Sequence, residues 1–176
     1  MKKFFYFLTA VGPDQPGLVA HMSGILVSYG CNLEDSSMMR LGSEFGMFAI
    51  FTSVALLPLE KIKRKRVFKN FFFHIKLISA KHASFKKTKR DLWMLRVHGT
   101  DRTGLVHNFA QCLYEYRFNI TDLSTHRTIG RVPGYILFIE GEPATSSTKN
   151  LKIALHKLAM KLTTHVSFTP VTAASF

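Results

Sequence analysis

Shifting the chain against itself by 87 residues, the interval from Gly12 to Gly99, lays "GPDQPGLV" over "GTDRTGLV". The register continues beyond those stretches. Leu8 meets Leu95, Leu26 meets Leu113, Tyr29 meets Tyr116, Asn32 meets Asn119, Asp35 meets Asp122 and Phe51 meets Phe138. A period of this length means one small domain made twice, with each copy large enough to bury a core of its own. The copies are read as residues 1–85 and 92–172, joined by a basic linker over 86–91.

Each copy shows the same succession of patterns. Leu18, Val19, Met22, Ile25, Leu26 and Tyr29 recur at helical spacing, as do Leu105, Val106, Phe109, Cys112, Leu113 and Tyr116. Gly30 ends the first of these helices, whereas Arg117 stands at that place in the second copy. Two extended runs follow, joined through Gly42 in the first copy and through Gly130 and Pro133 in the second. A further helix and strand close each copy. In the second the helical stripe is clean, with Leu151, Ala154, Leu155, Leu158, Ala159 and Leu162. In the first, the handover from helix to strand falls near Phe73. The order strand, helix, strand, strand, helix, strand predicts an α+β fold. It is two tandem ferredoxin-like βαββαβ domains, each a four-stranded antiparallel sheet with two helices on one face. Residues 47–51 and 135–139 are apolar on both faces, so something should cover the second face of each sheet.

The apolar opening "MKKFFYFLTAV" has a counterpart, "DLWMLRVHG", in mid-chain where no signal peptide works, so both are read as first strands. No apolar run approaches the roughly 20 residues of a membrane span. Cys31 and Cys112 have neither a disulfide framework nor a metal-knuckle spacing, which suits the cytoplasm. With 47% hydrophobic residues in 176, disorder is not expected.

The turn after the first strand delivers the chain to a helix N-terminus, where free N–H groups favour a carboxylate or phosphate. Gly17, ahead of Leu18, lets a ligand approach the backbone closely, as does Gly104. Asp14 and Asp101 either cap the helix or accept from an ammonium group, and Asn32 and Asn119 offer amide donors and an acceptor. A carboxylate together with an ammonium describes a free amino acid.

The stretch "GPDQPGLVAHMSGILVSYGCNLEDSSMMRLGSEFGMFAI" resembles the ACT domain, a regulatory ligand-binding module. Over nearly its whole length the chain is similar to tandem-ACT regulators of the glycine cleavage repressor type. The resemblance implies sheets that associate into oligomers, and effector binding beside the first loop. Carried onto this chain, the amino-acid site falls on Gly12, Asp14 and Asn32, and in the second copy on Gly99, Asp101 and Asn119. It also implies a noncatalytic regulator that senses an amino acid such as glycine. Such a regulator modulates transcription of glycine cleavage metabolism through a DNA-binding partner protein.

No nucleophile elbow, P-loop, zinc-protease or dinucleotide motif is present, the eight histidines are scattered, and neither enzyme, cofactor nor metal is expected. The alternative is direct nucleic-acid binding. Of the net charge of +13, most lies in residues 59–90, where twelve Lys and Arg, among them Lys61, Lys63, Arg64, Lys65, Arg66 and Lys69, face Glu60 alone. Phe68, Phe71, Phe72, Phe73 and Phe85 are either stacking faces or core.

Overall fold

The computed structural model describes residues 2–83, 92–128, 134–144 and 148–171. The chain divides into two compact units, Met1–Lys86 and Lys87–Phe176. The linker 86–91, the Gly130–Pro133 turn and Phe85 lie outside the described residues.

The first unit runs β1 (Phe4–Pro13), α1 (Leu18–Ser28), β2 (Asn32–Leu41), β3 (Glu44–Ser53), α2 (Leu59–Lys63), a single 3-10 turn (Arg66–Phe68), β4 (Phe72–Ile78) and α3 (Ala80–Ala83). Its sheet has the order β2-β3-β1-β4 and every neighbouring pair is antiparallel. The apolar opening of the chain is therefore an interior strand, with Leu8 opposite Ala49 on one side and Ile75 on the other. Period-2 alternation turns Tyr6, Leu8 and Ala10 inward with Met47, Ala49 and Phe51. Leu18, Met22 and Leu26 of α1 close over them with Ile62 and Phe68. The other face of this sheet keeps Phe48 and Phe72 exposed.

The second unit repeats the plan with β5 (Trp93–Thr100), α4 (Leu105–Glu115), β6 (Phe118–Thr128), β7 (Gly134–Pro143), α5 (Lys149–Leu162) and β8 (Thr164–Pro170). Its antiparallel sheet has the order β6-β7-β5-β8. Even the irregularities recur at the 87-residue shift: β2 has its register break between Leu33 and Asp35, and β6 between Ile120 and Asp122.

The second helix of the first unit departs from the sequence reading. The fourth strand starts at Phe72, close to the expected handover, but the helix before it is only five residues long, against fourteen for α5. Like charges three and four residues apart, Lys61 with Lys65 and Lys63 with Arg66, repel along a continuing helix. Ile62 and Phe68 still reach the core from the two short turns.

The end of α4 does without the glycine that closes α1, as the sequence implies. Gly30 closes α1 with φ +66°, and Arg117 adopts the same left-handed conformation with φ 54° despite its side chain. That conformation costs an L-residue roughly 1–2 kcal/mol. Arg117→Gly should therefore stabilise the second unit by up to about 1 kcal/mol, after the entropy that glycine adds to the unfolded chain. A urea titration followed by the fluorescence of Trp93, the chain's one tryptophan, measures it, and a loss of stability would contradict the strain.

Candidate functional site

The predicted loop residues are built identically in the two units. Gly17 and Gly104 cap α1 and α4 with φ 85° and 86°, a left-handed conformation that glycine takes without a Cβ penalty. One turn later, His21 Nδ1 donates to the Gly17 carbonyl at 2.8 Å, and Asn108 Nδ2 donates to the Gly104 carbonyl at 2.9 Å. Leu18 and Leu105 are buried in the two cores, so each helix start is anchored while its backbone faces out.

Asp14 and Asp101 do not cap these helices, neither of which has a side-chain cap. Each carboxylate instead meets an arginine at the far end of the edge strand. Arg40 Nη1 lies 3.6 Å from Asp14 Oδ2, and Arg127 Nη2 lies 3.0 Å from Asp101 Oδ2. The arginine side chains are 71% and 77% exposed, so the pairs contribute little to stability, about 0–1 kcal/mol each. Neither arginine figures in the sequence-based site, although Arg40 and Arg127 are themselves 87 residues apart.

In the first unit the ion pair stands at a cleft of about 280 Å³. The β1–α1 turn supplies one wall through Asp14, Gly17 and Leu18, and Met38, Met39 and Phe45 supply an apolar one. The backbone of Asp14 is fixed by its N–H, which donates to the Ser43 carbonyl at 2.8 Å.

Asn32 does not share this cleft. It pairs with Thr52, whereas the turn after β1 adjoins Glu44. Eight strand residues separate those positions along β3, about 26 Å, so one small ligand cannot touch Asp14 and Asn32 of the same unit. The Asn32 amide instead approaches Glu34 Oε1 at 3.4 Å. Thr52 donates to the same oxygen at 2.7 Å, and these contacts hold the Glu34 carboxyl below the usual carboxylate range. Asn119 likewise pairs with Glu142, near one end of β7, while Thr100 before Asp101 pairs with Gly134 at the other end.

Gly12 and Gly99 lie at the ends of β1 and β5 and are there for room. A Cβ on Gly12 would stand 2.8 Å from the Phe71 ring and 3.0 Å from the Asn70 carbonyl, and one on Gly99 would stand 2.6 Å from Thr164 Cγ2.

Lys61, Arg64, Lys65, Arg66 and Lys69 are exposed, and Lys63 is held by Glu60 at 2.9 Å. The neighbouring phenylalanines are largely engaged in packing. Phe68 is buried and stacks on Phe73 at 3.6 Å, and Phe71 meets Phe45 edge-on. Phe72 alone of the described ones is mainly exposed. A nucleic-acid reading therefore keeps its charge and loses most of its stacking surface. Among the described residues no group of three or more His, Cys, Asp or Glu could hold a metal, and no helix is long and apolar enough to cross a membrane. Burial pushes the thiols of Cys31 and Cys112 up.

Residues 5–62 match the family model of the ACT domain. The glycine cleavage system transcriptional repressor of Escherichia coli K12 is 44% identical over 41 residues, which are 23% of this chain and 22% of that protein. The alignment thus spans about a fifth of the relative. The fold extends much further. A crystal structure of an unknown protein from Galdieria sulphuraria superposes with a TM-score of 0.83 at 19% identity, covering 97% of this chain and all of that one. A second crystal structure, of a protein provisionally named as a glycine cleavage system transcriptional repressor, gives 0.67 at 18% identity over 98% of this chain and 99% of its own. The chain is an α+β tandem of two ferredoxin-like units, the first of which carries the ACT-domain match.

Proposed function

We propose that this chain is a noncatalytic cytoplasmic regulator whose first-loop cleft binds a free amino acid such as glycine. The Asp14–Arg40 pair at the cleft mouth carries the reading. A carboxylate beside a guanidinium is the charge complement of an amino acid's ammonium and carboxylate, and charge-assisted hydrogen bonds to both ends fix its orientation. Recurrence of the pair as Asp101–Arg127 extends the reading to the second unit. The apolar wall of Met38, Met39 and Phe45 accepts a side chain, so larger apolar amino acids compete with glycine for the cleft. By its likeness to the repressor, the chain acts on transcription of amino-acid metabolism through a DNA-binding partner, and as a homo-oligomer. Ligand binding then favours one arrangement of the protein over another.

Calorimetric titration of the full chain with each common amino acid tests this. Saturable binding of at least one is expected, weakened about tenfold or more by Asp14→Asn and by Arg40→Met, as for loss of a hydrogen bond to a charged group. Silence with every amino acid, or binding indifferent to both substitutions, would remove the reading.

A further inference from the structure

On the opposite flank of the β1–α1 turn lies a second cleft, of about 370 Å³. It owes its shape to the interrupted α2. Because that helix stops at Lys63, the chain folds back through the 3-10 turn, where Lys69 N–H bonds the Arg66 carbonyl and Phe71 N–H the Phe68 carbonyl, each at 3.1 Å. Arg66, Asn70 and Phe71 thereby line the cleft together with His21 of α1.

We propose that this cleft binds a small organic phosphate, specifically a phosphomonoester. The argument starts from charge. None of the residues lining the cleft is acidic, and Arg66 has no carboxylate partner among the described residues. Its neighbours Lys65 and Lys69 are cationic and exposed, so the local field is positive and selects an anion. The first cleft, where Asp14 and Arg40 cancel, selects a zwitterion instead.

The donors match a phosphate. Arg66 offers a planar fork suited to two phosphate oxygens, and Asn70 adds an amide whose side chain makes no other hydrogen bond among the described residues. The Gly17 carbonyl only accepts, so His21 donates to it from Nδ1, and Nε2 is left as an acceptor that suits a hydroxyl on the organic part of the ester. The remaining wall is apolar. Pro16, Leu18, Val67 and Phe71 suit the organic part of an ester rather than inorganic phosphate alone. Gln15 and Leu18 line both clefts, so the two sites adjoin across one turn but differ in the ions they select.

Calorimetry of the full chain with AMP and with glycerol 3-phosphate, at fixed ionic strength, tests the proposal, with adenosine and glycerol as phosphate-free controls. At least one ester should bind saturably and neither control should. Arg66→Gln, an exposed change, should weaken binding about tenfold or more, while Lys69→Gln, outside the cleft, should change it less than about threefold. Asp14→Asn should leave ester binding intact, so this proposal and the amino-acid reading fail separately. Absence of saturation with both esters would overturn the proposal. Equal losses from Arg66→Gln and Lys69→Gln would overturn it too, by showing diffuse surface charge, as would a single-stranded oligonucleotide binding steeply with falling salt while both esters do not.

Discussion

Replacing Phe109 with alanine should cost the second unit about 3–5 kcal/mol, the range for removing a buried aromatic side chain. Phe109 projects from α4 into the core made by Leu95, Val97, Leu113, Leu137, Ile139 and Leu155, and it is 0% exposed. The lost transfer energy is joined by a cavity that two strands and a second helix cannot collapse into without moving one another. Such a loss is comparable to the whole stability of many small domains, about 5–15 kcal/mol. Trp93 provides the readout, because it belongs to the same core and stacks on Phe168 with ring centroids 4.7 Å apart. Its fluorescence transition in urea should move to much lower denaturant. A shift equivalent to less than about 1 kcal/mol would be that of a surface position, and would mean that α4 does not pack as described.

A Gly12→Val substitution should also be severe, and it reaches the clefts. Its first added carbon falls 2.8 Å from two atoms of the Phe71 ring and 3.0 Å from the Asn70 carbonyl. The ring is held by Phe45 behind it, and the carbonyl belongs to backbone, so neither yields cheaply. Overpacking of this kind costs about 1–3 kcal/mol. The chain from Arg66 to Phe71 must shift to make room, which opens the wall of the larger cleft. Thermal melting by circular dichroism should show a clear drop, and titration of the same variant with the ester that binds the unaltered chain should show a weakened site. Unaltered melting would show that Phe71 does not lie against β1.

These two positions also show what could be read from the chain in advance. Phe109 stands on a stripe with Leu105, Cys112 and Leu113, and a helix with one apolar side has few ways to be buried. Gly12 was legible as a repeated position, but the reason for its missing side chain was not. Phe71, its close neighbour, lies 59 residues further along, and nothing local announces the approach. The expectation of a full second helix in the first unit failed because its apolar residues at Ile62 and Phe68 are compatible with a helix, while the crowded cations between them are not. Asn32 was grouped with Asp14 through the resemblance to the ACT domain, yet α1 runs back along the strands, so its two ends stand at opposite ends of the sheet's strands.

By itself the sequence determined the duplication, the order of elements and the buried stripes of α1, α4 and α5. Those properties are periodic, and a period of 2 or 3.6 is written in residues that lie side by side along the chain. Only the tertiary structure decided which charges meet. Helix α1 carries the chain back so that β2 runs parallel to β1 and Arg40 reaches the strand end where Asp14 stands, and the broken α2 brings Arg66 to the cleft that His21 lines. The physical reason is that a long exposed side chain contributes little to the folding pattern. The packed core sets where such groups stand, and their partners follow from that placement.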